Sequence, residues 1–397
     1  MCIRDSFWGN TITVINNFAD KVLNLTLKDV KIDVSDTGGD NFEFEDDQRG
    51  KAALSVQGKG NVEIELDGNN ELKSGVQRAG LEKNTSTSTG TLTLKDDKEA
   101  GSGSLKATGG KYGAGIGGGN YGSGENITIT GGRVNATGGW GSAGIGGGNY
   151  GRGNYGSGKN ITIKGGTVTA KGGDCGAGIG GGNGGIGENI KITDGTVNAT
   201  GGWGGAGIGG GDGGYGGYGN GKNITITDGT VTATGGIHGA GIGGGDSGIG
   251  EDITITGGTV NADGGDNGAG IGGGATGSGS NVTVSGAAQV TATATGSGPD
   301  WSGVGTGATI GNGGSKTPDG PVDGKEIQAD ISHLTTGYIH HIIYNPDLDL
   351  DGKPDGILKE WWEFALPKPI PDGESLDLHV ETLKGAPLLF NLSLIHI

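Results

Sequence analysis

Asp347, Asp349, Asp351 and Asp355 occupy positions 1, 3, 5 and 9 of a loop whose sixth residue is Gly352. Oxygen ligands at that spacing suit calcium, because alternate side chains point inward and Gly permits the sharp turn. Position 12 is Leu358, where an EF-hand needs a bidentate Glu. The motif therefore reads as an aspartate-rich calcium loop short of a full EF-hand, with Ca2+ as the expected cofactor. The alternative is an acidic, solvated turn between strands.

A second set of residues is aromatic. Trp140 and Trp203 each follow a Gly-Gly pair, as does the Lys111-Tyr112 dipeptide, while Tyr150, Tyr155, Tyr215 and Tyr218 sit in nearby Gly-rich stretches. Exposed aromatic rings offer stacking faces for sugars, and the competing reading is that they shield Gly-rich backbone. Cys175 and His238 fall at the same point of the pattern. Their contexts differ, so they are read as exposed residues and not as metal ligands.

Catalysis finds little support in the residue types. Glycoside hydrolysis needs two or more carboxylates converging on one bond, whereas the outward strand positions are Thr, Asn and Lys. No enzyme is expected. The net charge of −17 disfavours nucleic acid and anionic membrane and makes divalent cations plausible partners. No apolar run reaches the length of a membrane span.

The elements that would position these residues follow from a repeat. AGIGGG begins at Ala114, Ala143, Ala177, Ala206, Ala240 and Ala269, at intervals of 29, 34, 29, 34 and 29. The longer intervals carry five extra residues after the Gly run. Each unit holds three apolar-polar alternations, the period-2 mark of half-buried strands, separated by Gly-Gly corners. Three strands and three corners per unit describe one coil of a right-handed parallel β-helix, an all-β solenoid of about 29 residues per coil. Ile127, Ile161, Ile190, Ile224, Ile253 and Val282 should form one internal ladder, and Val134, Val168, Val197, Val231 and Val260 another. Asn126, Asn160, Asn189, Asn223 and Asn281, with Asp252 in one coil, should line a corner, since Asn tolerates left-handed backbone and its amides can bond along a stack. Coil stacking would place Trp140 and Trp203 on one edge, two coils or about 9.6 Å apart.

The ends and domains are read as follows. Residues 1–6, MCIRDS, and residues 392–397, LSLIHI, match the two strands of a translated sequencing adapter and are set aside, which leaves Cys175 as the one cysteine. Residues 7–110 are expected to form irregular first coils, with Ala79-Gly80-Leu81 in the place of AGI. Residues 111–314 are the regular repeats. After about Gly314 the period stops and Pro and aromatics rise, so residues 315–391 are expected to form a small C-terminal β domain carrying the acidic loop.

The run Leu23 to Val34, the segment Val62 to Leu72 and the AGIGGG and ITITGGTVTATGG units together resemble the β-helical carbohydrate-binding-domain family of bacterial surface proteins. The resemblance covers roughly Thr11 to Gly314. It implies non-catalytic binding of a plant or bacterial polysaccharide, a place at the bacterial cell surface or outside the cell, recurrent calcium, and a monomer within a longer surface protein. Tyr112, Trp140, Trp203, Tyr150, Tyr155, Tyr215 and Tyr218 are the expected sugar-binding residues.

Overall fold

Along Asn126-Ile-Thr-Ile-Thr130, β-branched residues alternate with polar ones, so an extended chain turns Ile127 and Ile129 to one side and Thr128 to the other. A computed structural model describes residues 2–3, 7–8, 10–39, 49–97, 102–149, 156–213, 219–296, 304–346 and 353–364. Each regular coil in it holds three strands, as in Gly124–Ile129, Arg133–Thr137 and Ile145–Gly146. The following coil repeats them at Gly158–Ile163, Thr167–Lys171 and Ile179–Gly180. Corresponding strands pair in parallel, with Ile127 opposite Ile161, Val134 opposite Val168 and Ile145 opposite Ile179. Among the described residues the strands build three long sheets of 10, 12 and 10 strands, called here sheets 1, 2 and 3 in the order a coil meets them. The fold is a right-handed parallel β-helix, the hand that parallel crossovers take.

The interior follows the expected ladders. Ile127, Ile161, Ile190, Ile224 and Ile253 are fully buried, as are Ile129, Ile163, Ile192, Ile226 and Ile255 on the same sheet and the five valines of sheet 2. Burial of each such side chain stabilises by about 1.5–3 kcal/mol. Glycine is required where sheet 3 stacks most tightly. Gly146 has φ 132°, and a Cβ placed on it would lie 2.0 Å from the carbonyl oxygen of Gly180. The chain accordingly repeats glycine there at Gly117, Gly180, Gly209, Gly243 and Gly272, all with positive φ.

Two polar ladders run up the corner that opens sheet 1. Asn126, Asn160, Asn189, Asn223, Asp252 and Asn281 all hold φ between 52° and 57°. Asn160 Nδ2 donates to Asn126 Oδ1 at 3.0 Å, Asn189 to Asn160 at 3.1 Å and Asn223 to Asn189 at 3.1 Å. Beside them Glu125, Lys159, Glu188, Lys222 and Glu251 alternate in sign in register. Lys159 pairs with Glu188 at 3.0 Å, and Lys222 pairs with Glu251.

Upstream, Val22–Lys28, Asn61–Asp67 and Leu92–Lys95 carry sheet 1 into the regular coils, and Leu81 pairs opposite Ile116 in sheet 3. Downstream, the break expected at residue 315 divides a continuous sheet. Tyr338–Tyr344 pairs in parallel with Gln289–Thr295 over seven positions, and Thr283 bridges Asp330 in parallel. Residues 327–344 are therefore a further coil whose Gly signal has been lost, not the opening of a separate β domain. Among the described residues, sheet 2 closes on an antiparallel strand, Ile357–Glu363, paired with Tyr338–Tyr344.

Candidate functional site

The corner after sheet 2 and the turn after the Gly run lie against each other over the short strands of sheet 3. Backbone bonds join them coil by coil: Asn149 N donates to Tyr112 O at 3.2 Å, Asp212 N to Cys175 O at 2.8 Å, Asp246 N to Gly204 O at 2.7 Å and Ala275 N to His238 O at 2.7 Å. The glycines that precede the variable corner residues stack in series. A Cβ on Gly173 would meet the Gly139 oxygen at 2.0 Å, one on Gly202 that of Gly173 at 1.8 Å, and one on Gly236 that of Gly202 at 1.6 Å. Along this edge the chain presents Lys111, Trp140, Asp174, Trp203, Ile237 and Asp266, one per coil.

Trp140 and Trp203 are each 41 % exposed, and one coil, that of Asp174, separates them. Both are held by a perpendicular ring from a neighbouring coil. Tyr112 stands edge-on to Trp140 with centroids 5.6 Å apart at 88°. His238 stands edge-on to Trp203 at 4.4 Å and 88°. Edge-to-face contact fixes an indole while leaving the rest of its surface to solvent. Tyr112 is 6 % exposed, so its ring is a support and not an open stacking face. Tyr150, Tyr155, Tyr215 and Tyr218 lie outside the described residues.

His238 departs from the expectation of an exposed side chain. It is 5 % exposed, and its Nδ1 lies 3.0 Å from Asn267 Oδ1. Sequence alone hides this because the burying groups, Trp203 and Asn267, come from adjacent coils. Cys175 is half-buried, and its thiol is pushed up to about 12 by burial and by Asp212, with Asp174 and Asp246 adding to the effect. Such a thiol stays protonated and is a poor nucleophile. Asp246 is raised above the ordinary carboxylate range, first by burial and then by Asp212. No group of three or more His, Cys, Asp or Glu residues has metal-binding geometry among the described residues.

Asp347, Asp349 and Asp351 lie outside the described residues. Asp355 is exposed at the base of that hairpin, where Asn345 N donates to Gly356 O at 2.9 Å and Asn345 Nδ2 to Asp355 O at 3.4 Å. These bonds bring the two ends of the aspartate-rich loop together.

A further cluster, absent from the sequence reading, lies at the C-terminal end. His341 is 2 % exposed, with Nδ1 2.6 Å from Thr309 Oγ1 and Nε2 3.6 Å from Glu363 Oε1. Thr309 Oγ1 also donates to Glu326. The His341 ring stacks on Trp361 at 4.4 Å, while His340 stacks on Trp362 at 3.8 Å and bonds Glu360 at 2.6 Å. Burial pushes His341 down to about 3 and raises Glu326 and Glu363. His340, His341, Trp361 and Trp362 alternate in two faces, a signal that was available from period 2 once this segment is taken as a strand pair.

These features define a β-helical repeat protein. The beta helix repeat family model matches five successive segments of the chain, residues 127–149, 161–183, 190–212, 224–246 and 253–275. Each segment starts on a buried residue of sheet 1 and ends on the residue after the Gly run, so Trp140, Cys175, Trp203 and His238 all fall inside matched units. Comparison with curated proteins and with solved structures gave no match.

Proposed function

We propose that this chain binds polysaccharide without cleaving it, at the bacterial cell surface or outside the cell, through the edge that carries Trp140 and Trp203. The observation that carries the reading is the matching exposure of two indoles at one position of the coil, Trp140 backed by Tyr112 from the coil before it and Trp203 by His238 from the coil after it. Both have the same exposure and a perpendicular supporting ring, on coils about 9.6 Å apart. An extended glycan lying along the solenoid axis meets the second indole about two sugars after the first. The resemblance of the repeat strings to β-helical carbohydrate-binding domains supports the same reading, and calcium at Asp347, Asp349, Asp351 and Asp355 belongs to it as a structural ion. We read the chain as a monomer.

The test is retention of the full chain on insoluble cellulose, xylan, chitin and pectin, with analysis of released products. Retention without soluble oligosaccharide, lost in the Trp140→Ala/Trp203→Ala double variant, is the expected result. Release of oligosaccharide would instead favour a lyase or hydrolase. Failure to bind any glycan would leave a structural stalk.

A further inference from the structure

The two indoles stand in different electrostatic settings. Each is followed by a glycine, Gly141 or Gly204, and against each glycine lies the first side chain after the Gly run. A Cβ on Gly141 would fall 2.4 Å from Asn149 Oδ1, and one on Gly204 would fall 2.7 Å from Asp212 Oδ2. The same place in the coil thus holds a neutral amide against the glycine that follows Trp140 and a buried carboxylate against the glycine that follows Trp203. Asp174, exposed, occupies the edge between the two indoles, and Asp246 follows Asp212 in the next coil with its N donating to Gly204 O. The cation of this edge, Lys111, lies on the other side of Trp140, 5.4 Å from the Tyr112 ring. Lys171 closes its sheet 2 strand ahead of the Gly172-Gly173 corner.

A half-exposed indole with carboxylates beside it is the chemistry that holds an ammonium group, by attraction to the ring face and by charge-assisted hydrogen bonds to oxygen. An acidic sugar at the same place meets like charge. Resting on the reading of this edge as a glycan site, we propose that the Trp203 subsite takes a cationic amino sugar. The polysaccharide is then one with free amines, such as a glucosamine polymer. Asp174, exposed, accepts hydrogen bonds from the amine, Asp212, buried behind it at 8 % exposure, adds its negative charge, and Trp203 stacks on the ring that carries the amine.

The test titrates the full chain with glucosamine oligomers, their N-acetylated counterparts and oligogalacturonates, following indole fluorescence and heat at mildly acidic pH. Glucosamine oligomers should bind at least about tenfold tighter than the N-acetylated ones, with added salt narrowing the difference. Asp174→Asn/Asp212→Asn should bring the ratio close to one by weakening the glucosamine oligomers. Asn149 already fills the position equivalent to Asp212, so that substitution fits the coil. Equal binding of both oligomers, preference for the oligogalacturonate, or an unchanged ratio in the Asn variant would overturn the proposal while leaving a glycan site at the indoles. Binding of every oligomer unaffected by Trp140→Ala/Trp203→Ala would remove the site itself, and the proposal with it.

Discussion

The His238 ring meets the Trp203 indole at 88° with centroids 4.4 Å apart, although 35 residues of chain separate them. One coil joins them in space, and Asn267 from the next coil holds His238 Nδ1 at 3.0 Å. The orientation of an exposed side chain is thus set by two buried ones above it. His238→Ala should free the indole and weaken glycan retention several-fold, while His238→Phe should keep most of it. A shift of indole fluorescence to the solvent-exposed value in the Ala variant alone would check the cause. Equal retention in both variants would mean that the prop is dispensable.

The Asn ladder contains one mismatch. Asn281 Nδ2 donates to Asp252 Oδ1 at 3.1 Å, but Asp252 as a carboxylate has no proton to give to Asn223 Oδ1. Asp252→Asn should complete the stack and stabilise by about 0.5–1 kcal/mol, in the range of one net hydrogen bond at an exposed site. Positive φ at residue 252 suits Asn as it does the other rungs. A melting temperature equal to or below that of the parent would show that the ladder is not limited by this rung.

Lys83 is fully buried, in the coil where Glu82 and Lys83 stand in place of the Gly run, and its Nζ donates to Ser88 O at 3.0 Å. Burial pushes its ammonium down to about 8, with Glu125 opposing. A base whose folded value lies below its ordinary 10.5 holds fewer protons folded than unfolded between those two values, so stability rises with pH across that window. At neutral pH the charged group costs about 3 kcal/mol. Lys83→Met should therefore raise the melting temperature at pH 7, and the gap to the parent should narrow toward pH 10. A gap independent of pH would point to packing instead.

The coil interior was legible from sequence because one rule, alternation within a fixed period, places Ile129, Ile163 and Ile192 without reference to any other residue. The Asn corner was legible for the same reason. His341 was not, since Thr309, Glu326 and Glu363 reach it from three segments that share no repeat. The false boundary at residue 315 has a related origin. Stacking needs buried Ile339 and Leu334 in phase with the coils below, and it persists after the glycines that announce the period are gone.

For the loop of Asp347, Asp349, Asp351 and Asp355, calcium should act as a local staple. Four carboxylates in one short loop repel one another unless a cation is present. Ion binding to the folded loop alone adds RT ln(1 + [L]/Kd), about 2.7 kcal/mol at a hundredfold excess over Kd. The full chain should bind calcium in calorimetry with a heat that Asp349→Ala removes. Absence of that heat in the parent would reduce the motif to an acidic turn.

The C-terminal coil should carry an opposed pair of pH dependences. His341, held down to about 3, is neutral in the fold, so its contribution is present above the ordinary 6.5 and lost as pH falls toward 3. The loss is of the order of 4 kcal/mol when complete. Glu326 and Glu363 are raised by burial, Glu363 further by Glu326, so their contribution is present below the ordinary carboxylate value and fades as pH rises through the raised ones. Deprotonation of both places two charges beside one imidazole, while protonation of His341 puts a cation between Trp361 and Thr309. His341→Phe keeps a ring against Trp361 and removes the acid-side titration. Its melting temperature should fall less than that of the parent between pH 6.5 and 3, and Glu363→Gln should flatten the decline on the other side. Parallel pH profiles for parent and His341→Phe would show that the acid transition arises elsewhere in the chain.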